Sequence, residues 1–194
     1  VFNFRLNRAL VQRRDASGAD FFTNAGDVRQ TGIESTINYW FTPAGRKIDA
    51  VHLRADHTWH RFRYGNFVQG TNNFTGKTVP SVPPHTLSLL ADVQLKNGWH
   101  SNISWYYSSS LFLNDANSAE AAPFHLLGWR IGKKQSFGDR YKLHLFAGVD
   151  NLLNETYSLG NDINAAAGRF YNAAPERNYY AGISIELTGK PKAE

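Results

Sequence analysis

The chain has 194 residues, no cysteine and a net charge of +5, with 42% hydrophobic, 19% charged and 14% aromatic residues. The absence of cysteine excludes a disulfide frame, a thiolate metal site and a cysteine nucleophile. Mean hydropathy is −0.44, and no apolar run approaches the roughly 18 residues that a membrane helix needs, which excludes a helical membrane protein but not a β-barrel.

Alternation with a period of two dominates the chain from the start. Phe2, Phe4 and Leu6 alternate with Asn3, Arg5 and Asn7. The chain thus begins at Val1 inside a strand, without a signal peptide, and reads as a piece of a longer one. After a modest connection near 13–20, Ile33, Ile37, Tyr39 and Phe41 oppose Glu34, Thr36 and Asn38. The stretch "TPAGRK" (42–47) is a tight turn. Val51, Leu53 and Ala55 then oppose His52, Arg54 and Asp56. A long segment near 65–84, rich in Gly, Asn, Thr and Pro, separates this strand from Leu87–Leu95, whose Leu87, Leu89, Ala91 and Val93 oppose Ser88, Asp92 and Gln94.

"KNG" (96–98) is the second tight turn. In Ser101–Leu113, Ile103, Trp105 and Tyr107 share one face, while Asn102, Ser104, Tyr106 and Ser108 share the other. A second long segment, near 113–122, leads to Leu127, Trp129 and Ile131, which face away from Gly128 and Arg130. "GDR" (138–140) is the third tight turn. Leu143, Leu145, Ala147 and Val149 follow, then a third long segment near 157–172. The last strand sets Tyr179, Ala181, Ile183, Ile185 and Leu187 against Asn178, Tyr180, Gly182, Ser184 and Glu186. The tail 188–194 is polar, and its Pro191 argues against a central strand there.

About eight antiparallel strands in an up-and-down meander are therefore expected over residues 1–187, an all-β fold. Short and long connections alternate, so one end carries tight turns and the other long loops, as in outer-membrane barrels. Several strands are longer than a sandwich requires and suit a tilted membrane span. Tyr39, Trp40, Phe41, Trp99, Phe137 and Tyr141 flank the tight turns, where an interfacial aromatic belt is expected. In "FAGVDNLLNETYSLG" (146–160), Asp150 to Tyr157 is expected to continue the strand beyond the outer interface.

Chemistry is sparse. On one strand His52 and His60 share a face but stand roughly 26 Å apart, and His57 faces away, so these alone make no tetrahedral site. Asp56, His60 and Ser88 have no pattern that fixes their geometry, and no nucleophile elbow, phosphate loop or dinucleotide fingerprint occurs. Neither an enzyme nor a cofactor is expected. Basic residues are scattered rather than grouped, so no nucleic-acid partner is expected.

Four stretches carry a family resemblance: Asn24, Gly26, Gly32 and Glu34 in "TNAGDVRQTGIESTINYWF" (23–41); Gly76, Pro80, Pro83 and Pro84 in "FTGKTVPSVPPHTLSLLADVQLKNGW" (74–99); the Val-x-Asn-Leu-x-Asn-x-x-Tyr run of 146–160; and Ala174-Pro175 with Arg177 in "GRFYNAAPERNYYAGISIEL" (168–187). In this order and spacing they resemble the TonB-dependent outer-membrane receptors. The resemblance implies the C-terminal section, about the last eight strands, of a 22-stranded transmembrane barrel in the bacterial outer membrane. The plug domain and the TonB box would lie outside this chain. It implies transport of a scarce nutrient, an iron–siderophore by default, with lipid and lipopolysaccharide around the barrel and TonB acting through the plug. The family's final strand usually ends in an aromatic, whereas here Leu187 is followed by seven more residues. Candidate contacts to a siderophore-like chelate are Phe67, Asn72, Asn73, Phe74, Phe112, Asn114, Asn161 and Tyr171, on the long loops. Two other readings are a free-standing eight-stranded outer-membrane barrel that anchors or adheres, and a soluble all-β binding module that folds without detergent.

Overall fold

The computed structural model describes residues 1–14, 19–24, 26–45, 47–138 and 140–187. The polar tail 188–194 lies outside the described residues, as do Arg46 and Asp139 within two of the tight turns. Eight long strands form one sheet: β1 (Phe2–Leu6), β2 (Val28–Phe41), β3 (Ile48–Tyr64), β4 (His85–Leu95), β5 (Trp99–Ser108), β6 (Phe124–Phe137), β7 (Tyr141–Asp150) and β8 (Asn178–Leu187). Their order in the sheet is their order in the chain, and every neighbouring pair is antiparallel. Among the described residues β1 and β8 do not pair with each other, so the sheet is open at both edges. No helix in the described residues is long and apolar enough to cross a membrane.

Register places the apolar row of each strand beside that of its neighbour. Tyr39 stands opposite Leu53, Leu53 opposite Ala91, Ala91 opposite Ile103, Ile103 opposite Trp129, and Trp129 opposite Val149. This face is largely uncovered: Ile37, Leu53, Ile103, Leu145 and Ile183 are all exposed. A soluble sheet would bury such a face, at about 25 cal/mol for each Å² of apolar surface. Leaving it open across seven strands suits contact with hydrocarbon.

The opposite face is polar and internally bonded. Arg54 grips Asp56 from the same strand, with Nε to Oδ2 at 2.7 Å and Nη2 to Oδ1 at 3.0 Å, and Thr36 donates to the same carboxylate at 2.8 Å. Asn102 donates to Asp92 at 2.6 Å, and His52 lies between Asn38 and Asp92 at 2.5 and 3.4 Å. Glycines on this face admit rings from the next strand. An added Cβ would lie 2.4 Å from the Tyr180 ring at Gly148 and 2.3 Å from the Phe146 ring at Gly182.

Three expectations need correction. Phe2 and Phe4 stand opposite Gly32 and Gln30, hence on the polar face, where Phe2 packs with His60 and Phe62. Alternation alone finds the two faces of a strand but not which one its neighbours share. Trp40 belongs to the polar face as well, stacked on His52 at 3.8 Å, and so leaves the aromatic belt. The third concerns Asp150 to Tyr157, of which only Asp150 is strand. β7 stops at Asp150, and Asn151 takes a left-handed φ of 50° that starts a compact turn.

Candidate functional site

The three long connections, 65–84, 109–123 and 151–177, leave the sheet at one end, each with a small hairpin of its own: Val68–Gln69 with Asn72–Asn73, Leu111–Phe112 with Glu120–Ala121, and Ser158–Asn161 with Tyr171–Ala173. A further hairpin, Leu10–Arg14 with Asp20–Asn24, sits between β1 and β2. β3 is 17 residues long against 11 for β4, and beyond Trp59, which pairs with His85, its outer end has no partner in β4. The returning limb of the first long loop takes that place. Tyr64 N donates to the Lys77 carbonyl at 2.9 Å, Val79 N to Phe62 at 3.1 Å and His60 N to Pro84 at 2.8 Å.

These bonds fold the loop over the polar face. Phe67, 1% exposed, packs with Val28 and Tyr64, and its ring stands 5.3 Å from that of Phe74. Tyr64 then donates its hydroxyl to Oδ1 of Asp115, 3% exposed, at 2.6 Å. Oδ2 of Asp115 accepts from the Asn164 amide at 3.0 Å, and the Asp115 backbone N–H donates to Asn164 Oδ1 at 3.0 Å. Asn117 binds both backbone groups of Thr78, at 2.8 and 2.9 Å. One carboxylate thus fastens the second long loop to the end of β3 and to the third loop. Asn117 and Asn164 both have positive φ, which Asn tolerates better than most residues. The same amides bind backbone that the loops would otherwise leave unpaired.

The stretch after β7 is locked the same way. Asn151, buried, donates from Nδ2 to the Glu155 carbonyl at 2.8 Å and accepts from Glu155 N at 2.8 Å, while Leu152 N reaches Leu127 O at 2.7 Å. Asn154 Oδ1 accepts from Arg177 N at 3.0 Å and so joins the turn to the start of β8.

Two hollows remain. One of about 670 Å³ runs along the polar face and is lined by Arg54, Asp56, Ser88, Tyr106, Asp150 and Tyr157 among others. The other, about 520 Å³, lies between the second and third loops, with Leu111, Pro123, Phe124, Tyr157, Asn161 and Tyr171 in its wall. Tyr157 belongs to both.

The expected contact residues separate into three groups. Asn161 and Tyr171 share the loop hollow; Asn161 Oδ1 is shielded from solvent without a hydrogen-bond partner, and Tyr171 is 60% exposed. Asn72 and Asn73 are exposed at the tip of the first loop, where Asn73 accepts from Thr75 N. Phe67, Phe74, Phe112 and Asn114 hold loops in shape. Phe67 and Phe74 form the loop core, the Phe112 carbonyl accepts from Ser81 N at 2.8 Å, and Asn114 is bonded to Ser118 through both its amide atoms. Sequence reading missed Tyr64, Asp115, Asn117 and Asn164, since no local pattern links Asp115 to an amide 49 residues further on. Asp56 and Ser88 face each other across β3 and β4, but Asp56 is held by Arg54 and Thr36, while His60 packs with Phe2 and Phe62.

Residues 1–152 match the family model described as TonB dependent receptor-like, beta-barrel. The chain belongs to the TonB-dependent receptor family. Among solved members, the ferric citrate transporter FecA in its unliganded form is 22% identical with a TM-score of 0.69, covering 94% of this chain and 27% of FecA. BauA, the ferric preacinetobactin receptor of Acinetobacter baumannii, is 18% identical at a TM-score of 0.64, covering 95% of this chain and 26% of BauA. A variant of the ferric enterobactin receptor PfeA from Pseudomonas aeruginosa, in complex with enterobactin, is 16% identical at 0.63, covering 96% and 28%. The chain spans about a quarter of the length of these TonB-dependent receptors. The family and these neighbours are transport receptors rather than enzymes.

Proposed function

We propose that this chain is the C-terminal barrel section of an outer-membrane receptor that takes up a scarce nutrient, an iron–siderophore, with TonB acting through a plug carried elsewhere in the complete protein. The observation that carries this reading is the fastening of the long loops over the polar face by Tyr64, Asp115 and Asn164. A mouth held in shape by buried hydrogen bonds offers a chelate a preorganised surface and lowers the entropy lost on capture. Asn161 and Tyr171 supply an amide and an aromatic ring to one hollow of that mouth, and Asn72 and Asn73 add exposed amides at a loop tip. Phe74, Phe112 and Asn114 act from behind as loop supports. The two open sheet edges fit a section of a larger barrel, since an unpaired edge is costly in lipid.

The test uses the complete receptor in an outer-membrane host that lacks its own siderophore receptors, supplied with radiolabelled iron as citrate, catecholate and hydroxamate chelates. Uptake of one class, abolished when TonB is deleted and reduced by Tyr171→Ala, is the expected result. Uptake of none of them, with the receptor present in the outer membrane, contradicts the assignment to iron chelates.

A further inference from the structure

The apolar face does not stay apolar over its whole height. From the tight-turn end outward, β3 presents Val51, Leu53 and Ala55, then His57 and Trp59, then Arg61 and Arg63. On β2 the same face ends in Thr31 and Arg29, and on β1 in Asn3 and Arg5. Register sets Arg5 opposite Arg29 and Arg29 opposite Arg63, so three guanidiniums occupy one row across three adjacent strands. Arg61, opposite Thr31, lies one row nearer the membrane.

Like charges placed directly opposite destabilise a sheet unless a counter-charge sits between them. Here there is little protein to supply one. Arg5 is paired with Asp27 at 2.6 Å, and Arg63 donates to the neutral Gly76 carbonyl at 2.8 Å. Among the described residues no carboxylate lies within ion-pair distance of Arg29, Arg61 or Arg63. Arg29 is flanked by Arg5 and Arg63 whatever strand joins the free edge of β1.

The height of the row fits a membrane surface. Arg29 is twelve residues from Phe41 at the inner belt, about 40 Å along the strand and about 28 Å along the membrane normal at a tilt near 45°. An outward apolar band is about 25 Å tall. Arg29 and Arg63 therefore stand just beyond the hydrocarbon and Arg61, about 5 Å lower, at its edge, with Trp59 and the stacked rings of His57 and His85 immediately below.

We propose that Arg29, Arg61 and Arg63 form a binding site for the phosphate groups of a phosphorylated glycolipid in the outer leaflet. The guanidinium fork matches phosphate oxygens in a bidentate manner, and a lipid phosphate at this depth is the counter-charge that the row lacks. The site rests on the outer-membrane reading above.

The test takes the complete receptor, checks it by outer-membrane fractionation, and transfers it to nanodiscs. It is then titrated with bisphosphorylated lipid A, with dephosphorylated lipid A and with inorganic phosphate, and bound lipid is counted by native mass spectrometry. The bisphosphorylated lipid should bind about tenfold more tightly than the dephosphorylated one. The combined Arg29→Gln, Arg61→Gln and Arg63→Gln variant should lose that preference, the matching Lys variant should recover part of it, and Lys133→Gln near the inner rim should leave it intact. Equal binding of the two lipids by wild type overturns the site, and this arm holds even where the Gln variant does not insert. Preference retained in an inserted Gln variant also overturns it. Displacement of the lipid by millimolar inorganic phosphate shows a free-anion site instead. A wild-type receptor absent from the outer membrane overturns both this site and the receptor assignment, whereas an inserted receptor with no lipid preference overturns the site alone.

Discussion

Tyr64 and Asp115 stand 51 residues apart in sequence and share a buried hydrogen bond of 2.6 Å. Through the second oxygen of Asp115 the bond extends to Asn164, so the end of β3, the 109–123 loop and the 151–177 loop meet at one carboxylate. Removing the Tyr64 hydroxyl takes one hydrogen bond from the buried Asp115 carboxylate, which costs about 1.5–3 kcal/mol. Tyr64→Phe is expected to raise hydrogen exchange in all three long loops together. A rise confined to 65–84 would show that Asp115 does not couple them.

Asn151 combines a left-handed backbone with two side-chain bonds to Glu155. Asn151→Ala forfeits both bonds and the tolerance of positive φ, at a cost of about 2–3 kcal/mol. The change should appear as faster proteolysis between β7 and β8, with the strands themselves unaffected. Proteolysis at the wild-type rate would mean that the turn is held by other contacts.

Gly98 closes the turn between β4 and β5 with φ at +87°, and an added Cβ would lie 2.1 Å from the Lys134 carbonyl oxygen. Lys134 N also donates to the Gly98 carbonyl at 2.9 Å, so the turn is seated against β6. Gly98→Ala should lower stability in denaturant titration by about 3 kcal/mol, from the left-handed strain and the displaced backbone together. Gly160→Ala, with nothing within 4 Å, is the neutral control.

The two faces of β4 differ in what they should tolerate. Leu89, in the row of Ala55 and Trp105, would lie near mid-membrane in the proposed receptor, where an arginine on the lipid side costs about 2–4 kcal/mol. Ser88 lines the polar hollow beside Asp56, which would welcome the charge. Leu89→Arg should reduce the inserted fraction of the complete receptor, and Ser88→Arg should not. The reverse order would place the membrane on the other face.

Much of this fold could be read from residue spacing. Leu143 to Val149 and Tyr179 to Leu187 alternate without interruption, and β7 and β8 occupy the expected segments. The turn at 96–98 carries its own glycine signal. β2, β3 and β6 run further than expected, because their outer ends replace apolar residues with Arg29, Arg61, Arg63 and His125, and the pattern fades there while the ladder continues. The side chosen by Phe2 depends on its pairing with Gly32, which no property of β1 announces. The loop fastener was hidden for a different reason. Asp115 and Asn164 are ordinary loop residues until the chain brings them together, and polar partners in loops follow no period. Of the expected contact residues, Asn161 and Tyr171 share a hollow because their hairpin pairs them, whereas Phe67, chosen for its aromatic ring, is used as core.

In the proposed receptor the Leu89 face of the sheet meets lipid and the Ser88 face lines water. The segment has no cysteine of its own, so single spin labels can be placed at Leu89→Cys and Ser88→Cys. In the complete receptor reconstituted in lipid, the label at 89 should relax with dissolved oxygen and ignore a water-soluble nickel chelate, and the label at 88 should do the opposite. Two labels that both respond to the nickel chelate, or a label at 89 shielded from both agents, would contradict the account.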